Sequence, residues 1–232
     1  MPIDKHEWPV LIVSGEFDAA TDEGCRLREL KKQLVENKGC SVLISLRYED
    51  AINIFASRAD LGTVIIDWDI QCEDPGEQAT AAELLEGIRQ RNKTIPVVLL
   101  TDHSELENLP TDVLSKVDDF IWKITDTVDF LAGRIEVLVS DYLQTVYPAF
   151  FGGMARYANE YKYAWHTPGH MGGEGFLKSP AGVAMHKFFG ENVFRADLSI
   201  SVPELGSLLD HNGPVGDAEE NSARVFGADI TF

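Results

Sequence analysis

Basic side chains are scarce in this chain. Twenty lysines and arginines stand against 38 aspartates and glutamates, a net charge of −18 over 232 residues. Phosphate backbones select the opposite sign, so the composition argues against a nucleic-acid partner. No run of eighteen apolar residues occurs, and no membrane-spanning helix is expected. The N-terminus, MPIDKHEWPVLIV, lacks a basic cluster followed by a long apolar stretch and does not read as a signal peptide. Cysteine is sparse too. Cys25, Cys40 and Cys72 are widely spaced and odd in number, which fits reduced thiols and predicts a cytoplasmic location. What remains is ordinary for a packed protein: 44% hydrophobic and 25% charged residues.

The acidic excess is uneven. Residues 1–140 hold 27 acidic and 14 basic side chains, or −13, and the remainder holds 11 and 6, or −5. Solubility is the plain reading. The sharper one is that acidic faces repel at neutral pH and associate once carboxylates protonate, which would make assembly respond to acid.

Residues 1–140 alternate between short branched apolar runs and helical patterns. Strands are expected at Pro9–Val13, Cys40–Leu46, Thr63–Asp67, Val97–Leu100 and Phe120–Trp122. Thr21 or Asp22 can cap a helix reaching about Asn37, with Leu27, Leu30, Leu34 and Val35 on its apolar stripe and Gly39 as its stop. Tyr48–Ser57 reads as a second helix burying Ala51, Ile52 and Phe55. The loop Gln71–Gln78 leads into a third that runs through Arg91, and a last helix runs from near Asp126 towards Tyr142. Five strands separated by helices predict an α/β, flavodoxin-like, doubly wound parallel sheet.

Polar residues stand at three of the strand ends: Asp67, Thr101 and Lys123. In this placing the segment is similar to the receiver domain of bacterial response regulators. That resemblance implies a phosphoacceptor aspartate, a hydroxyl and a lysine meeting in one crevice. Receivers also need an acidic pair just after strand one to hold magnesium, and Ser14-Gly15 stands there, with Glu16 and Asp18 further out. A non-catalytic receiver-like interaction or signalling module is the alternative reading of this half.

The stretch 141–164 reads as a linker. Pro148 and Gly152-Gly153 make one continuous helix across Tyr142–Tyr161 doubtful. Its aromatics, Tyr142, Tyr147, Phe150, Phe151, Tyr157 and Tyr161, are too many for a solvated connection and imply a docking surface. From Trp165 onward, glycine, proline, histidine and carboxylates crowd into irregular backbone. His166 and His170 are four apart, but Pro168 forbids the helix that would align them on a metal. Gly172-Gly173-x-Gly175 follows no strand and opens no evident helix, so it does not read as a nucleotide loop. Asp197, Glu204 and Asp210 suit a site for a cationic amino acid. Asp210 can equally start a turn and Glu204 cap a short helix. Asp217–Phe226 reads as a helix with apolar contacts from Ala218, Ala223, Val225 and Phe226, stopped by Gly227; Ile230–Phe232 reads as the start of a strand.

In order, HTPGHMGG, SPAG, FFGEN, DLSISVPELGSLLDH and ARVFGAD resemble the opening of the catalytic domain of bacterial ornithine/lysine/arginine decarboxylases. The resemblance implies a receiver-like wing domain over 1–140 that serves assembly, the linker 141–164 at a subunit interface, and the start of a pyridoxal-phosphate-dependent transferase-like domain over 165–232. It also implies a homo-oligomer, at least a dimer, acting on a small basic amino acid. His166, His170, Asp197, Glu204 and Asp210 would then line the wall of a dimeric active site. No lysine stands in the family's Ser/Thr-x-His-Lys setting before the chain stops at Phe232. Neither catalytic residues nor pyridoxal-phosphate ligands are therefore expected within these 232 residues.

Overall fold

In the computed structural model, the described residues are 5–70, 81–102, 109–160, 162, 168–199 and 202–232. The expected loop 71–78 with Cys72, together with Tyr161, Trp165 and His166, lies outside them. The chain divides into two compact units, Asp4–Leu143 and a second that takes in Gln144–Phe232.

The first unit is built on five strands: β1 (Val10–Val13), β2 (Val42–Ser45), β3 (Thr63–Asp67), β4 (Val97–Thr101) and β5 (Asp119–Trp122). They pair in parallel in the order β2-β1-β3-β4-β5, the flavodoxin-like arrangement. Every residue of β1, β3 and β4 is buried, as expected when helices cover both faces of a parallel sheet. The helices are α1 (Asp22–Glu36), α2 (Tyr48–Ser57), α3 (Ala81–Arg91), the single turn α4 (Thr111–Leu114) and α5 (Val128–Val146). Thr21 caps α1, its hydroxyl accepting from the Gly24 N–H at 3.1 Å. Two apolar residues depart from expectation: Val35 and Ile52 are exposed. Each directly follows an inward residue, Leu34 or Ala51, and a step of one residue turns a helix by about 100°.

In the second unit α5 gives way at Pro148 to α6 (Ala149–Asn159). Proline therefore breaks the helical run as expected, whereas Gly152-Gly153 does not. Gly153 is used for close approach: a Cβ there would meet Pro214 Cγ at 2.9 Å, and Pro214 belongs to the last helix. A 3-10 turn (Glu174–Lys178), α7 (Pro180–Phe189), α8 (Glu191–Arg195), a second 3-10 turn (Pro203–Leu205) and α9 (Gly213–Phe226) follow. The glycine cluster 172–175 thus leads into a helical turn, contrary to expectation. The last helix begins at Gly213 rather than Asp217, because Pro214 sits in the first turn, where its missing N–H costs nothing. Gly227 ends it in the left-handed region at φ +64°. Val225 and Phe226 are exposed rather than packed, and Ile230–Phe232 forms no strand, having no ladder to join among residues 202–232. The small core here is Tyr157, Val202 and Leu205, with Met154 and Leu198 against it.

Candidate functional site

Parallel pairing brings the carboxyl ends of the strands to one edge, and the polar residues that end them meet there. The Asp67 carboxylate, at the end of β3, is buried and fully engaged. Its Oδ2 accepts from the Ser14 hydroxyl at 2.6 Å, and its Oδ1 lies 3.0 Å from Lys123 Nζ. The Asp69 N–H adds a bond to Oδ1 at 3.2 Å. Lys123, just past β5, also donates to Asp69 Oδ2 at 2.5 Å. Burial pulls the Lys123 ammonium down, but the hydrogen bond to Asp69 and the charge of Asp67 outweigh it and hold the group above its ordinary value. Thr101 is buried at the end of β4. Glu23, on the first turn of α1, has a raised carboxyl, chiefly from burial, with the Lys123 charge opposing.

The structure therefore brings Asp67 and Lys123 together, with Ser14 and Asp69 as partners that the strand ends alone did not reveal. The Asp67-Trp68-Asp69 spacing was the available signal. Ser14 thus engages one oxygen of the Asp67 carboxylate and Lys123 the other. Glu16 is turned to Thr21, whose hydroxyl donates to Glu16 Oε2 at 2.9 Å. Among the described residues no group of three or more histidine, cysteine, aspartate or glutamate side chains is placed to hold a metal.

In the second unit the candidates fall into separate pairs. His170 Nε2 lies 2.9 Å from Asp197 Oδ2. Glu204 instead meets Lys162 at 2.7 Å, and Lys162 also pairs with Glu160 at 2.8 Å. The Lys162 hydrogen bond holds the Glu204 carboxyl below its ordinary value. Asp210 sits in the turn closed by Ser207 and Asn212, its N–H donating to Ser207 Oγ at 3.1 Å. His166 lies outside the described residues.

A lysine that captures pyridoxal phosphate needs an amine that can be neutral, supplied by a desolvated or cation-flanked setting. Lys123 is pinned between two carboxylates, and Lys5, Lys38, Lys116 and Lys162 are ion-paired at 2.5–3.3 Å. Lys32, Lys93, Lys178 and Lys187 are exposed, and half-buried Lys31 lies over the Phe17 ring. These settings do not fit the cofactor.

Two family models match consecutive parts of the chain. The Orn/Lys/Arg decarboxylase N-terminal domain covers residues 23–142, and the major domain of the same enzymes covers 148–232. This chain belongs to the Orn/Lys/Arg decarboxylase family. Curated relatives agree: lysine decarboxylase LdcA of Pseudomonas aeruginosa is 37% identical over 97% of this chain, and the biodegradative arginine decarboxylase of Escherichia coli is 37% identical over 96%. The chain spans about 30% of the length of these relatives. Among solved structures, lysine decarboxylase A from Pseudomonas aeruginosa superimposes with a TM-score of 0.81 at 37% identity. The constitutive lysine decarboxylase of Escherichia coli does so at 0.75 and 31%. Each match covers 96–97% of this chain and 30% of the neighbour. The region matched is the N-terminal part of a decarboxylase of this family.

Proposed function

We propose that these residues form the assembly wing, the linker and the opening of the catalytic domain of a pyridoxal-phosphate-dependent decarboxylase of lysine, arginine or ornithine. The observation that carries this reading is the succession of two domains of one enzyme family along the chain, over residues 23–142 and 148–232. The cofactor would supply an electron sink for loss of the α-carboxylate. No lysine here stands in the family's Ser/Thr-x-His-Lys setting, so none of them is proposed as its anchor. The wing and linker would serve a homo-oligomer, and domain boundaries near 140 and 164 follow the same reading. A cytoplasmic location is supported by Cys25 and Cys40 being free thiols. His170, Asp197, Glu204 and Asp210 are proposed to lie along the wall of the active site, where carboxylates favour a cationic substrate.

The test is decarboxylation by the enzyme that carries this chain at its N-terminus, supplied in turn with lysine, arginine and ornithine. Carbon dioxide release from at least one, dependent on added pyridoxal phosphate, is expected; no release from any would overturn the reading. The isolated 232 residues should take up no borohydride-fixable cofactor. Sedimentation velocity of the enzyme at fixed ionic strength should show at least a dimer, with larger species gaining from pH 8 to about pH 6 as clustered carboxylates protonate. A monomer throughout would remove the interface role of the linker.

The signalling alternative makes a different forecast. If Asp67 were a phosphoacceptor, acetyl phosphate and magnesium would add one phosphoryl mass, lost in Asp67→Asn. With both oxygens of Asp67 hydrogen-bonded, no such species is expected.

A further inference from the structure

Helix α7 turns different residues inward and outward. On its inner side Gly182 is buried, where a Cβ would overlap the Phe176 carbonyl, and His186 stacks on buried Phe194 with centroids 5.2 Å apart. The outer side holds Ala181, Ala184, Met185 and Phe188. These stand at i, i+3, i+4 and i+7, so they form one stripe about 100° wide. All are exposed, and so is Leu177 in the 3-10 turn before the helix. A stripe of this spacing ordinarily faces a core. Here it faces out.

The stripe is complementary to itself. Mirrored about the midpoint between Ala184 and Met185, Ala181 pairs with Phe188 and Ala184 with Met185, large opposite small at each step. The ends match in charge as well. Lys178 is exposed just before α7, and Glu191 is exposed just after it. Antiparallel packing brings Lys178 towards the partner's Glu191 and towards the negative end of the partner's helix. Parallel packing would set Phe188 against Phe188 and Lys178 against Lys178. Lys187 falls outside the stripe, so its charge does not enter the contact. We propose that α7 docks antiparallel on α7 of a second copy of this chain, each Phe188 ring seated over the partner's Ala181. Such a two-fold contact uses the same patch on both copies. The alanines let the helix axes approach to about 8 Å, the close end of helix packing. The proposal rests on the homo-oligomer reading above and names its surface and its partner.

Sedimentation equilibrium of the 232-residue chain, up to about 1 mM, tests this, since a single helix face lies at the small, weak end of specific interfaces. The parent chain should form a dimer. Phe188→Ala should raise the dissociation constant about tenfold. Ala181→Phe sets two phenylalanines against each other and should raise it about as much. The double variant Ala181→Phe/Phe188→Ala restores large opposite small and should return to within about threefold of the parent. Both positions are exposed, so the helical circular dichroism at low concentration should stay that of the parent. Cross-linking gives a second readout. Benzoylphenylalanine in place of Phe188, in a mixture of 14N and 15N chains, should join heavy to light copies at residues 179–184. A monomer throughout, a double variant no better than the weaker single one, or cross-links that land elsewhere would overturn the proposal. If the double variant fails to recover while the enzyme still sediments as a dimer, the α7 contact falls and the homo-oligomer reading stands.

Discussion

The two halves of this chain treat their apolar residues in opposite ways. Residues 5–143 bury every side chain of β1, β3 and β4, and polar groups that end the strands pair with one another. Residues 144–232 bury few large side chains among those described: Tyr157, Phe194, Val202, Leu205 and Val215. Phe188, Leu209 and Phe226 are 83%, 88% and 84% exposed, and Phe189, Val193 and Phe232 are open as well. At roughly 25 cal/mol per Å2, leaving that surface wet forgoes stabilisation the sheet unit enjoys. The first half thus packs its apolar side chains within itself, while the second leaves several large ones open among the described residues.

The comparison can be broken by attacking each half at its own weak point. Lys123→Met leaves the Asp67 charge buried without its cation, which costs about 3–5 kcal/mol. Urea unfolding followed by tryptophan fluorescence should lose that much, and adding Asp67→Leu should recover part of it. A loss under about 1 kcal/mol would mean the crevice is wet rather than sealed. Gly153→Ala acts on the other half. The new methyl meets Pro214 inside van der Waals contact, and overpacking of this kind costs about 1–3 kcal/mol. Part is returned, about 1 kcal/mol, because alanine favours the helix. Circular dichroism should show the helical unit melting earlier while the sheet unit keeps its transition. The smallest effect concerns pH. Lys123 is raised above its ordinary value, so its stabilisation is fully present below the unfolded value and is lost only as pH rises through the higher folded one. Between pH 6 and 9 the penalty of Lys123→Met should therefore stay constant.

The periodic half was the legible one. Strand ends at Asp67, Thr101 and Lys123 followed from branched runs and parallel pairing, and Thr21 and Gly39 marked helix ends through local chemistry alone. In the sequence Ser14 reads only as the wrong residue for magnesium. That its hydroxyl reaches Asp67 depends on how β1 lies against β3, which no local pattern encodes. Val35 and Ile52 were misplaced because an apolar stripe has an edge, and one residue decides which side faces in. Beyond Trp165 the residue types were suggestive but their pairing was not. His170 and Asp197 are 27 positions apart across irregular backbone, and Glu204 turns to Lys162 rather than to them. Motif resemblance supplied the family where periodicity had nothing to offer.

The difference in packing between the two halves is tested most directly by hydrogen exchange. The 232-residue chain would be exchanged at pH 7 and read by mass spectrometry at several protein concentrations. Amides of β1, β3 and β4 should exchange at least roughly a hundredfold more slowly than those of α7, α8 and α9, since local opening follows buried apolar contact. Protection in α7 to α9 should rise with concentration as copies cover one another's exposed phenylalanines. Equal protection in both halves at the lowest concentration would contradict the account.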